Sequence, residues 1–151
     1  MSEDERFVAD LKEAWATVPY PGDNNITSHP CFECEEIAEY FRGKSPWDNF
    51  PIQELRYHHA ALSLFTPAAH HYFLPAFILA DLTDRREADV IGENILYGFA
   101  NAPTDEWLAP RLRLFTPFQK QVIWKYLKKS NTDQYSEDYV AKARRTLGVE
   151  E

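Results

Sequence analysis

The chain has 151 residues, 44% hydrophobic and 15% aromatic, with 10 Pro and 5 Gly, enough to bury a core without a disulfide or metal as a staple. Sixteen basic against 24 acidic residues leave a net charge of -8, the wrong sign for attraction to phosphate backbones or anionic membranes. Nucleic acid and membrane are therefore not expected as partners, and an acidic globular domain is the starting class.

Ser2 and Glu5 fit a capping box ahead of Phe7, Val8, Leu11, Ala14, Trp15 and Val18, whose spacing predicts an amphipathic helix. No basic region followed by an apolar one opens the chain, so no secretion signal is expected. Pro19 to Asp23 stops the helix, and residues 24–29 continue as a polar loop. Residues 21–25 offer a carboxylate-bearing binding loop, although Gly, Asp and Asn are also ordinary turn residues, and structural use is the expectation. Pro30 is placed at the first position of a second helix that ends at Gly43, with Cys31, Cys34, Ala38 and Phe41 on one face beside Ile37. Trp15, Trp47, Trp107 and Trp124 are expected as core or loop anchors, with Trp47, next to Pro46 in a proline-bounded connection, also a candidate recognition anchor. Leu55, His59 and Leu62 mark a third helix that Phe65 closes.

Thr66 and Pro67 form a strong helix start, because threonine caps a free amide and proline lacks one. The helix over 67–82 is apolar on most sides, which places it centrally, and Pro75 predicts a kink. Its most apolar part, 72–82, is far shorter than the roughly 20 residues a membrane helix requires. Ala88, Ile91, Ile95 and Phe99 suggest a fifth helix, with Gly92 and Gly98 leaving a strand near Ile95 open. Leu62-Ser63-Leu64-Phe65-Thr66-Pro67 is echoed by Leu112-Arg113-Leu114-Phe115-Thr116-Pro117. Gln119 completes a capping box in the second copy, and two copies are too few for a solenoid. A terminal helix over 136–147 stops at Gly148. The expected fold is all-α: a single compact domain over 1–151, with six or seven helices around the Pro-kinked helix 67–82.

Charge is uneven: residues 1–106 hold 7 basic and 19 acidic residues, whereas 107–149 hold 9 and 3. Either the basic C-terminal helices dock near acidic N-terminal ones, or an acidic face awaits a basic partner.

His29-Pro30-Cys31-Phe32-Glu33-Cys34 is the segment with metal or redox spacing. Two thiolates on adjacent helical turns reach one tetrahedral zinc, and His29 is a third donor, with His58, His59, His70 and His71 as sources of a fourth. A second CxxC or HxxxH pair is missing, so the zinc signal is weak. The segment also matches half of a zinc deaminase signature, which is rejected because no His-x-Glu or Cys-x-Glu precedes it and no α/β pattern surrounds it. Thiol exchange is favoured by the helix N-terminus and opposed by Glu33, Glu35 and Glu36. The preferred reading makes Cys31 and Cys34 small buried hydrophobes in a reducing cytoplasm, with no disulfide scaffold. The histidine pairs lack a nucleophile and an orienting acid, and each pair is expected to turn one ring inward and one outward.

Tyr20-Pro21-Gly22-Asp23, Cys31-Phe32-Glu33-Cys34-Glu35-Glu36 and the run from Leu62-Ser63-Leu64-Phe65-Thr66-Pro67 to Pro75-Ala76 together resemble an uncharacterised bacterial domain-of-unknown-function family over roughly residues 7 to 128. The resemblance implies a bacterial cytoplasmic setting and assigns no catalytic residues. Small acidic helical proteins of this kind are also similar to the immunity proteins that neutralise bacterial toxins. The function expected is non-enzymatic binding of a basic protein partner, immunity-like, without a cofactor. The alternative is a metal enzyme or structural zinc protein built on His29, Cys31 and Cys34.

Overall fold

The computed structural model describes residues 1–130 and 137–150. The described residues form ten helices and no strand, so the chain is all-α as expected, with more and shorter helices than the six or seven read from the sequence. No helix among them is long and apolar enough to cross a membrane. They fall into two compact units, Met1–Thr17 with Leu96–Glu151, and Val18–Ile95.

The unit Val18–Ile95 contains α2 (Phe32–Phe41), α3 (Ile52–Tyr57), α4 (Ala61–Leu64), α5 (Pro67–Thr83), α6 (Arg85–Ala88) and the first residues of α7 (Ile91–Ala100). Thr66 caps α5: its hydroxyl accepts from the Ala69 amide at 3.1 Å and donates to the Asn25 carbonyl at 2.8 Å. The Thr66 amide donates to the Ile26 carbonyl at 2.9 Å, which ties the polar loop to the helix start. Eleven residues of α5 are buried, Pro75 among them, because its apolar positions circle the helix and packing replaces the one bond proline cannot make. Phe41, Phe65, Phe73 and Phe77 are fully buried, and the Phe41 ring lies 5.0, 4.9 and 6.2 Å from the other three. Such aromatic pairs add about 0.5–1.5 kcal/mol each beyond the area they bury.

Two expectations change in this unit. The third helix divides into α3 and α4 at residues 58–60, where the His59 amide donates to Arg56 and the Ala61 amide to His58. That tight turn puts His58 inside and leaves His59 exposed, so His58 and not His59 continues the Leu55 stripe. The fifth helix also divides, since Asp89 adopts a positive φ of 55°. Ala88 therefore belongs to α6, while Ile95 lies in α7 and the strand is excluded there. Gly92 has a packing reason: a Cβ there would sit 2.9 Å from the Asp81 carboxylate, which is itself buried on α5.

The other unit contains α1 (Glu3–Ala14), the rest of α7, α8 (Asp105–Leu114), α9 (Pro117–Ser130) and α10 (Glu137–Leu147). The capping box of Ser2 and Glu5 is formed, as is that of Thr116 and Gln119. Gln119 is buried and its Nε2 donates to the Ala14 carbonyl at 2.9 Å, which satisfies an orphan acceptor at the end of α1. Phe115 packs between Trp15 and Phe99, with centroids at 6.3 and 6.0 Å. Lys129 of α9 meets Glu3 and Asp4 of α1, each at 3.1 Å, as expected of a basic helix docked on an acidic one.

Helix α8 has no counterpart in the sequence reading. Thr104 caps it by accepting from the Trp107 amide at 3.1 Å, and Asp105, Glu106, Arg111 and Arg113 complement its dipole. Pro110 stands inside this helix. Ser136, expected to open the terminal helix, lies outside the described residues.

Candidate thiol and metal centre with an acidic aromatic face

The HPCxxC segment joins the loop before α2 to its first turn. Cys31 is extended, with φ -133° and ψ 160°, and is the N-cap: its Sγ accepts from the Cys34 amide at 3.0 Å. The sulfur takes the part usually played by a serine or aspartate oxygen, so α2 starts at Phe32, with Pro30 just outside it. Cys34 is fully buried and Cys31 partly exposed. Cys34 occupies the apolar stripe as expected, but the pair are not separate hydrophobes, because Cys31 and Cys34 are joined by a disulfide. The N-cap and third helical position bring their Cα atoms to 5.0 Å, inside the range a disulfide spans.

His29 completes the group. Its Nδ1 lies 3.9 Å from Cys34 Sγ, and the donor atoms of His29, Cys31 and Cys34 all lie within 4.8 Å of one another. The three metal candidates read from the sequence are thus brought together, and no helix histidine joins them among the described residues. His58 instead stacks on Tyr40 with centroids 4.6 Å apart. His59 accepts through its carbonyl from Asn94 Nδ2 at 3.0 Å, and His70 is buried on α5 while His71 is partly exposed. One ring of each pair turns inward, as expected.

Beside this centre α2 and α3 form a groove of about 370 Å³ lined by Phe32, Glu33, Glu36, Ile37, Tyr57 and His58. Phe32 is 85% and Tyr57 68% exposed, an unusual position for two large rings. The Tyr57 hydroxyl donates to the Glu36 carboxylate, which raises the phenol pKa. Burial lowers the His58 pKa, against the pull of Glu36 and Glu54, so the groove floor favours a neutral imidazole.

Other sequence candidates have structural roles. Asp23 accepts from the Tyr20 hydroxyl at 2.6 Å, and the same hydroxyl accepts from the Gly43 amide at 2.6 Å. Gly22 takes a φ of 102°, so residues 21–25 form a turn that locks onto the end of α2. Trp47 is buried and presents no exposed anchor. Phe32 and Tyr57 were missed as surface anchors. Their signal was available: Phe32 sits among glutamates off the Cys34-Ile37-Phe41 stripe, and Tyr57 sits off the Leu55 stripe.

A family profile described as "Family of unknown function (DUF6714)" matches residues 25–146. The chain belongs to this family. The expectation of an uncharacterised domain family is met, with a shifted span: the DUF6714 region starts after Tyr20-Pro21-Gly22-Asp23 and extends into α10. It contains the whole HPCxxC segment, both faces of the α2–α3 groove and both Phe-Thr-Pro junctions. Searches of curated proteins and of solved structures return no significant match.

Proposed function

We propose that this DUF6714 protein is a non-enzymatic binding module, immunity-like in its small acidic helical build, that holds a basic segment of a partner protein against Phe32 and Tyr57. The observation that carries the reading is the exposure of these two rings on one groove whose lining also includes Glu33 and Glu36. Aromatic rings are enriched among the residues that dominate protein interfaces, and a lysine or arginine over such a ring gains about 0.5–2 kcal/mol. Charge distribution supports the same partner. Val18–Ile95 holds 12 acidic and 5 basic residues, a net of -7, while the rest of the chain holds 12 and 11. The attractive field for a cation therefore belongs to the unit that carries the groove, and it steers a basic partner from a distance. A bacterial cytoplasm is the setting we propose for the encounter.

The test is calorimetric titration at low salt with lysine- and arginine-rich peptides, each matched to a neutral and an acidic peptide of equal length. Binding confined to the basic set, and weakened about tenfold or more by Phe32→Ala or Tyr57→Ala, is the expected result. Both rings are exposed, so neither variant should lose stability. Equal binding of neutral peptides, or indifference to both substitutions, contradicts the proposal.

A further inference from the structure

We infer that, once the disulfide is reduced, His29, Cys31 and Cys34 bind one soft divalent cation, with zinc the best match to the donor set. Tetrahedral zinc with Zn–S near 2.3 Å and Zn–N near 2.0 Å places its ligand atoms about 3.5–3.8 Å apart. His29 Nδ1 already stands 3.9 Å from Cys34 Sγ, and all three donors lie within 4.8 Å of one another. Freed from its partner, Cys31 Sγ completes the triangle by a side-chain rotation, since its residue is partly exposed and precedes the helix. Cys34, fully buried on the first turn of α2, supplies the fixed point.

Two thiolates and an imidazole suit zinc and exclude magnesium or calcium, which take oxygen ligands. The surroundings support the charge state. The Cys34 amide, 3.0 Å from Cys31 Sγ in the disulfide form, is a donor beside the thiolates, of the kind that steadies a metal-bound sulfur. Glu33 and Glu35, which oppose a thiolate acting alone, attract the cation that neutralises it. The exposed side of His29 leaves the fourth position to water or to a partner's side chain.

Oxidation and metal binding exclude one another at this site. A dithiol reductant transfers two electrons and two protons to the Cys31–Cys34 bond and leaves as its own disulfide. The cation then displaces the two thiol protons and bonds both sulfurs.

Untagged full-length protein, reduced with excess dithiol and exchanged into anaerobic buffer, is to be titrated with cobalt(II) and then zinc. The reduced chain should take one equivalent of cobalt, with sulfur-to-cobalt charge-transfer absorption and the visible bands of a tetrahedral ion, and zinc should bleach both. The oxidised chain should show neither. Cys31→Ser and Cys34→Ser should abolish the charge-transfer signal, and His29→Ala, an exposed position safe for folding, should weaken binding about tenfold or more. Circular dichroism checks that the cysteine variants fold. A reduced chain that takes no cobalt, or binding that His29→Ala leaves intact, overturns the assignment. So does a reduced chain that ignores cobalt yet rapidly reduces a small disulfide, which makes the pair a thiol-exchange centre.

Discussion

The same six-residue design occurs twice, as Leu62 to Pro67 and as Leu112 to Pro117, and the two copies are used differently. In each a short helix ends at a buried phenylalanine, a threonine caps the next helix and proline opens it. The first copy serves Val18–Ile95: Phe65 enters a cluster of phenylalanines, and Thr66 grips a loop through two of its own groups. The second serves the other unit: Phe115 meets Trp15 and Phe99, and Gln119 replaces the loop grip by reaching the end of α1. Local helix-start chemistry is therefore portable, while the partners it finds decide what each junction holds. The charge follows the same division, since one unit is close to neutral with ion pairs between α1 and α9, and the other keeps nearly all the acid excess.

The largest expected effect tests the aromatic side of this contrast. Phe41→Ala empties a fully buried site ringed by Phe50, Phe65, Phe73 and Phe77, and urea unfolding should show a loss of about 3–5 kcal/mol. A loss below about 1 kcal/mol, in the range of a surface substitution, would mean that the cluster is not the core of its unit. A smaller effect separates the two junctions. Thr66→Ala removes a buried cap and its bond to Asn25, at a cost of about 2 kcal/mol. Thr116→Ala removes an exposed cap, at about 1 kcal/mol. Equal costs would show that the loop grip at Thr66 adds nothing.

The smallest effect concerns pH. Burial holds the His58 pKa below its unfolded value, so the unfolded state takes the proton first as pH falls. The stability that neutral His58 contributes is therefore present above the unfolded value of about 6.5 and is lost as pH falls toward the folded value. Denaturation curves across that window should be flatter for His58→Gln than for the parent chain. Identical slopes would remove His58 from the pH response.

The sequence made visible what depends on neighbouring residues. Ser2 with Glu5 and Thr116 with Gln119 are capping boxes because the pattern is local, and Pro67 announces a helix by its own geometry. Breaks that depend on a backbone turn were not legible: nothing in His58 or Asp89 as residue types forces α3 from α4 or α6 from α7. Helix α8 drew no expectation, and Pro110 stands inside it. At the site, spacing brought His29, Cys31 and Cys34 under suspicion, and their convergence is a matter of the first turn of α2. The groove needed the third dimension, because Phe32 and Tyr57, far apart in sequence, line one groove only in the folded chain.

The most direct measurement of the central claim is a two-dimensional NMR titration of the isotopically labelled chain with an arginine- and lysine-rich peptide at low salt. Shifts should concentrate in residues 32–37 and 54–58, with residues 1–17 and 96–130 unmoved. Shifts centred on α1 and α9, or none at peptide concentrations far above those used in the calorimetry, would contradict it.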